Sequence, residues 1–233
     1  TRESHHYSHR FPQLPSVLSD LSQYPHIPIV GIVGGVGAGK SSVVRNVSDL
    51  RLFVIDADRI GHELLLTNDI CKKLRDVFGE AILNEAGQVE RKQLAEKVFG
   101  DSDEQTKNRS RLNLILHPEI RREIHRSINQ VPQDVDAIIL DAALLLEAGW
   151  ADECDAVIFI DTPVELRQQR VAANRGWSAE ELMRRESSQW SLLKKRQNAQ
   201  FVVDNSGSVE MAAEQMKLVL EEIILKGHGA SSR

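Results

Sequence analysis

Lys40 and Ser41 close a glycine-rich run whose residue types suit the holding of phosphate. Residues 29–44 read IVGIVGGVGAGKSSVV. Gly34 and Gly39 bracket four residues before Lys40-Ser41, matching G-x-x-x-x-G-K-[ST] with an apolar run ahead and a helix-forming segment behind. In such a loop, inward-pointing backbone N–H groups hold phosphate oxygens, and only residues without a bulky Cβ let the chain curl that tightly. The helix N-terminus that follows adds partial positive charge. On this reading Gly34, Gly35, Val36, Gly37, Ala38, Gly39, Lys40, Ser41 and Ser42 form the phosphate-binding loop. Lys40 bridges the outer phosphates, and the Ser41 hydroxyl ligates Mg²⁺. The plainer alternative is a glycine turn that joins a strand to a helix.

Acidic residues follow two later apolar runs. Residues 52–55 (LFVI) end in Asp56-Ala57-Asp58, and residues 137–140 (AIIL) end in Asp141. Short, wholly apolar runs suit buried parallel strands. In open parallel sheets ligands sit beyond the carboxyl ends of the strands, so these acids emerge beside the loop. Asp141 then fits the second Mg²⁺-associated carboxylate of phosphate-loop proteins. Helix capping is the alternative for the Asp56–Asp58 pair. A basic stretch carries Arg167, Arg170, Arg175, Arg184 and Arg185, with Trp177 and Trp190 as anchors. It is either a solvated helix face or a closing lid that brings arginine onto a transferring phosphoryl group.

The positioning elements follow from pattern. Strands are expected at 29–33, 52–55, 137–140, 156–160 and 201–203, with a helix over 39–49 after the loop. Between the second and third strands, residues 59–133 are charged and helical, without a strand of their own. Their third helix is expected to break at His117-Pro118, because proline disfavours a helical residue before it. From Val209 to Ile224 apolar residues keep helical spacing, giving one closing helix. The fold class is therefore α/β: a five-stranded parallel sheet flanked by helices, with an inserted helical substrate domain and an arginine-rich lid. The core takes 27–58, 134–164 and 197–226, the insert 59–133 and the lid 165–196. Residues 1–26, with His5, His6 and His9, read as a flexible tail, and Val17, Leu18 and Leu21 as one short docking turn.

Composition narrows the class. The chain has 233 residues, 41% hydrophobic and 27% charged, enough for one large domain or a core with inserted units. A net charge of −5 argues against a broad nucleic-acid footprint. Cys71 and Cys154 have no metal-ligand spacing and read as reduced thiols of a cytoplasmic protein. No apolar stretch approaches the roughly 20 residues that span a bilayer. A monomer or weak homo-oligomer is expected.

Beyond the loop, the chain resembles the dephospho-coenzyme A kinase family. The likeness rests on GIVGGVGAGKSS (31–42), VIDAD (54–58), GQVERKQLAEKVF (87–99), LILHPEI (114–120), LDAALLLE (140–147) and QFVVDNSGS (200–208). It implies a phosphate-loop kinase with a parallel five-stranded core, a helical coenzyme-binding domain and a lid. It also implies transfer of the γ-phosphoryl of ATP to the ribose 3′-hydroxyl of dephospho-coenzyme A. The family's base falls on Asp58 and its ATP-binding loop on Gly37 to Ser42. Arg91, His117 and Glu147 are further candidates for acceptor binding with Asp58, and Asp56 is left for metal or hydroxyl positioning, or for structure. Lys40 and Arg170 or Arg175 would meet the transferred group. His117 is equally a histidine buried at a helix junction, and most of the 144–147 run is expected to be core. Three positions depart from the family pattern: Ala143 for proline, Gln200 for an acid, and Asn174 for a lid arginine, with Arg175 next to it. The rival readings are a kinase for another small nucleotide or metabolite, or a non-catalytic nucleotide-binding module. A GTPase is disfavoured by the lack of an N-K-x-D-like string.

Overall fold

The computed structural model describes residues 26–100 and 102–230; the histidine cluster and the 17–21 turn lie outside them. Five strands, β1 (Ile29–Gly34), β2 (Leu52–Asp56), β3 (Ala137–Asp141), β4 (Ala156–Asp161) and β5 (Phe201–Asp204), form one parallel sheet in the order β2-β3-β1-β4-β5. The apolar sequences of the inner strands β1, β3 and β4 follow from burial on both faces, whereas Val54 and Val202 on the edge strands β2 and β5 are exposed. Val30, Ile32, Ile139, Ile158 and Ile160 point to one face, and Val33, Ile138, Leu140, Val157 and Phe159 to the other. Against the first face lie α1 (Lys40–Arg45) and α9 (Val209–Ala230), the latter through Ala212, Met216, Leu220 and Ile223. The second face is covered by Ile120 and Ile124 of α5 (Asp103–Ile128), with Leu145 and Trp150.

The insert holds α2 (Ala57–Leu64), α3 (Asn68–Phe78), α4 (Arg91–Val98) and α5. Leu65, Ile70, Leu74, Phe78, Ile82, Leu94 and Val98 give it a small core of its own. The lid region holds α6 (Val164–Arg175), α7 (Ala179–Glu186) and α8 (Leu192–Gln197).

Two local expectations are corrected. The helix after the loop stops at Arg45 and not at residue 49: Asn46 caps it, and Asp49 lies at φ 63°. The insert has no strand among its described residues, as expected, and one isolated antiparallel bridge there joins Leu83 to Val89 across the turn at Gly87. α5 runs unbroken through Pro118 for 26 residues. The missing Pro118 N–H leaves the Leu114 carbonyl without its usual donor, and Leu114 is on the outside (77% exposed), where water can replace it. Ile120 and Ile124 meanwhile anchor the far half of the helix on the sheet. Its start is set by a capping box, with Ser102 and Gln105 bonding reciprocally.

Candidate active site

At the carboxyl edge of the sheet, β1 runs into the glycine loop, β2 into the start of α2, and β3 ends at Asp141. Register puts Asp141 level with Ile32 on one side and Asp56 on the other. Gly37 and Gly39 adopt φ 77° and 83°, backbone that side chains with a Cβ disfavour. Space forbids larger residues there as well. A Cβ on Gly37 would stand 2.7 Å from Val171 of α6, and one on Gly39 would stand 3.0 Å from the Arg170 guanidinium. The loop therefore curls for its ligand and also lets α6 lie against it.

One carbonyl fixes the loop. The Ala38 oxygen accepts from Thr162 Oγ1 (2.9 Å), Asn205 Nδ2 (2.8 Å) and Arg170 Nη1 (3.0 Å). With that carbonyl turned outward to β4, β5 and α6, the neighbouring peptide groups are held in the curled form. Inside, Ser41 Oγ donates to Asp141 Oδ2 (2.8 Å), and Lys40 Nζ lies 3.5 Å from Asp141 Oδ1. Asp141 thus gathers both side chains of the motif.

Asp58 occupies the first turn of α2 and borders the same cavity as residues 35–42. Burial raises its pKa above the usual carboxylate range; Lys40 and a backbone hydrogen bond from Ala143 oppose that rise, and Asp141 and Asp56 reinforce it. Ala143 keeps the N–H that a proline would lack, so the departure at this position supplies the acid with a donor. Asp56 is placed differently. Its Oδ1 accepts from the Arg59 N–H (2.9 Å) as the N-cap of α2, and it does not border the cavity. The acid pair divides into a cap and a site residue, because the helix starting between them turns the two side chains apart.

The cavity, about 970 Å³, extends from the loop to the helical insert and the lid. His117 and Glu147 border it. Burial pushes the His117 pKa down, favouring the neutral ring, which packs edge-on to Trp150 at 5.4 Å. Glu147 Oε1 accepts from the Trp190 N–H (2.7 Å) and stands 3.3 Å from Lys195 Nζ, while Oε2 is buried without a partner. Arg91 is not brought to the site. It begins α4, with Nη2 at 3.0 Å from His62 Nε2, outside the cavity lining. Arg170 and Arg175 both border the cavity, but Arg175 lies over the Trp177 ring at 4.7 Å. Gln200, the third departure, holds the strand starts together by accepting from the Val157 N–H (2.7 Å).

Lys195 and Glu186 carried no readable sequence signal, and the basic run that includes Arg167 did not reveal its partner. Lys195 is 1% exposed and donates to the Ala143 carbonyl and to Gln189 Oε1. Arg167, 4% exposed, pairs with Glu186 of α7, and Glu186 Oε1 also accepts from the Val36 N–H of the loop (2.9 Å). This links lid to loop through a buried cation. Deleting one partner of a buried pair costs about 3–5 kcal/mol, and partial exposure of Glu186 moves the figure towards the lower end. Glu186→Ala is therefore expected to lower the unfolding free energy by about 3 kcal/mol, read from urea denaturation midpoints. An unchanged midpoint would mean that Arg167 finds water instead.

A five-stranded parallel sheet carrying a glycine loop and a gathered Lys-Ser-Asp set, with Asp58 on the same cavity, is that of an ATP-dependent phosphate-loop kinase. The dephospho-CoA kinase family model matches residues 28–211. The Carboxydothermus hydrogenoformans dephospho-CoA kinase is 36% identical over 187 residues, 79% of this chain and 89% of its own length. That of Aquifex aeolicus is 35% identical over 188 residues, 80% of this chain and 93% of its own. Among solved structures, TT1252 from Thermus thermophilus superposes with a TM-score of 0.71 at 31% identity, covering 84% of this chain and 98% of that one. This chain belongs to the dephospho-CoA kinase family.

Proposed function

We propose that this chain transfers the γ-phosphoryl group of ATP to the ribose 3′-hydroxyl of dephospho-coenzyme A, giving coenzyme A and ADP, the last step of coenzyme A biosynthesis. One observation carries the reading at the level of chemistry: Asp58 and residues 35–42 border a single cavity that runs on into the helical insert. The acceptor hydroxyl oxygen bonds to the γ-phosphorus as the bond to the β–γ bridging oxygen breaks, and the hydroxyl proton passes to the Asp58 carboxylate. Lys40 and Arg170 balance the charge on the transferred group. Residues 59–133 bind the acceptor, and 165–196 close over the nucleotide and exclude water, which would otherwise hydrolyse ATP.

Among the described residues no group of three His, Cys, Asp or Glu side chains could hold a metal ion. The Ser41 hydroxyl and Asp141 carboxylate, 2.8 Å apart, instead fit a Mg²⁺ that arrives with the nucleotide, since this ion takes one or two carboxylates plus phosphate oxygens. When bound there it would supply charge neutralisation at the phosphates, and Asp141 would hold Ser41 and Lys40 in place for it. No helix among the described residues is long and apolar enough to cross a membrane. The reading is of a cytoplasmic enzyme, a monomer or weak homo-oligomer that works on small molecules and not on nucleic acid.

Incubation with Mg²⁺-ATP and dephospho-coenzyme A should yield a product heavier by one phosphate. Lack of that product, with ADP forming equally fast without acceptor, would overturn the reading. The raised Asp58 pKa adds a pH dependence. The base must be ionised, so kcat/KM for the acceptor should fall as pH drops through a one-proton limb above the ordinary aspartate value of about 3.9. A profile flat down to about pH 4 would deny Asp58 that role.

A further inference from the structure

Among the described residues, Arg109 is the one Lys or Arg that residues 59–133 bring to the cavity lining. It stands on α5 in a row with Thr106, Ser110, Asn113 and His117, spaced i, i+3, i+4, i+7 and i+11, so one helix face is presented to the cavity. At 1.5 Å per residue this row is about 16 Å long and leads outward from His117. The other cavity arginines are differently engaged. Arg184 and Arg185 are paired with Glu181, Arg170 bonds the Ala38 carbonyl, and Arg175 stacks on Trp177. Arg45, in the last turn of α1, donates to Ser42 Oγ (3.5 Å). Arg109 is half-buried and has no ion pair among the described residues.

The backbone that carries Arg109 is fixed. Its neighbour Asn108 is buried and donates to the Lys97 carbonyl (3.2 Å), and Gln105 donates to the carbonyls of Glu96 (3.1 Å) and Phe99 (2.8 Å). This start of α5 is thereby tied to the end of α4, whose Phe99 also borders the cavity, and Arg185 of the lid lies 5.9 Å above the Phe99 ring. A guanidinium without an ion pair of its own, carried on an anchored helix face beside polar side chains, offers a fork of donors that suits bidentate bonds to an anion.

Resting on the proposed function, the acceptor brings a diphosphate on the 5′ carbon of the same ribose whose 3′-hydroxyl must reach Asp58. We propose that Arg109 grips this diphosphate, with Thr106 and Ser110 beside it, and so selects acceptors that carry a diphosphate at the ribose 5′ position. It is a specificity residue for the acceptor and does not act on the transferred group.

Steady-state kinetics of the full chain, Arg109→Gln and Arg109→Lys, test the assignment with dephospho-coenzyme A, ATP and adenosine as varied substrates. Loss of charge-assisted bonds should raise KM for dephospho-coenzyme A about 10- to 100-fold in Arg109→Gln, with kcat within about threefold. KM for ATP and kcat/KM for adenosine, which lacks the diphosphate, should stay at the wild-type values, and Arg109→Lys should recover part of the loss. An equal rise in KM for ATP would move Arg109 to the donor phosphates. A fall in kcat at constant KM, or no change in the glutamine variant, would likewise overturn the assignment. If the wild-type chain itself fails to phosphorylate dephospho-coenzyme A, the proposed function fails; if only the variants match wild type, this inference fails alone.

Discussion

Asp58→Asn is expected to bind ATP with unchanged affinity and to transfer phosphate about 10²- to 10⁴-fold more slowly. The amide keeps the size and most of the hydrogen-bonding reach of the acid but cannot take the hydroxyl proton. On the proposed reading ATP is held by residues 35–42, with Lys40 and Ser41 gathered by Asp141, and no hydrogen bond joins these groups to Asp58 among the described residues. A second consequence follows from the direction of the Asp58 pKa. Because the folded state raises it, the fold favours the protonated acid. That contribution to stability is complete below the ordinary carboxyl pKa and is lost as pH rises through the raised value. At neutral pH the ionised Asp58 therefore costs stability, and the asparagine variant should melt at the same temperature or higher. Isothermal titration with an ATP analogue, single-turnover rates and a thermal melt at pH 7 check the three parts. Near-normal turnover would remove Asp58 as the base.

Arg170→Ala should lose about 10³-fold in kcat, while Arg175→Ala stays within about tenfold of wild type. The structure separates these two neighbours. Arg170 reaches the loop itself, with Nη1 at 3.0 Å from the Ala38 carbonyl, and one guanidinium bond leaves its remaining donors for phosphate oxygens. Arg175 lies at the end of α6, 4.7 Å over Trp177, on the lid's aromatic shelf. Positive charge that is fixed where negative charge develops counts for far more than a mobile cation nearby, since no reorganisation is needed during the reaction. Rapid-quench measurement of the transfer step at saturating ATP reads the difference. Equal losses in both variants would show that the lid moves far enough to interchange them.

The sequence by itself determined the ligand class and the frame. The loop spelled its chemistry in consecutive residues, and short apolar runs bounded by turn or acidic residues fit buried parallel strands, so both could be read locally, although the equally apolar 142–146 run is not a strand. The edge of the sheet on which Asp58 and Asp141 emerge followed from the same rule. Proline at 118 misled because its local preference is weak beside the burial of Ile120 and Ile124, which hold α5 straight across it. Tertiary structure alone decided where the members of each pair come to lie. Asp56 caps while Asp58 faces the cavity, Arg170 reaches the loop while Arg175 stacks, and Arg91 turns to His62. The buried Arg167–Glu186 link and the donors to the Ala38 carbonyl join segments that lie more than a hundred residues from the loop. Such pairings depend on where helices come to rest after the core has packed, and neither the spacing nor the identity of a charged residue records that position.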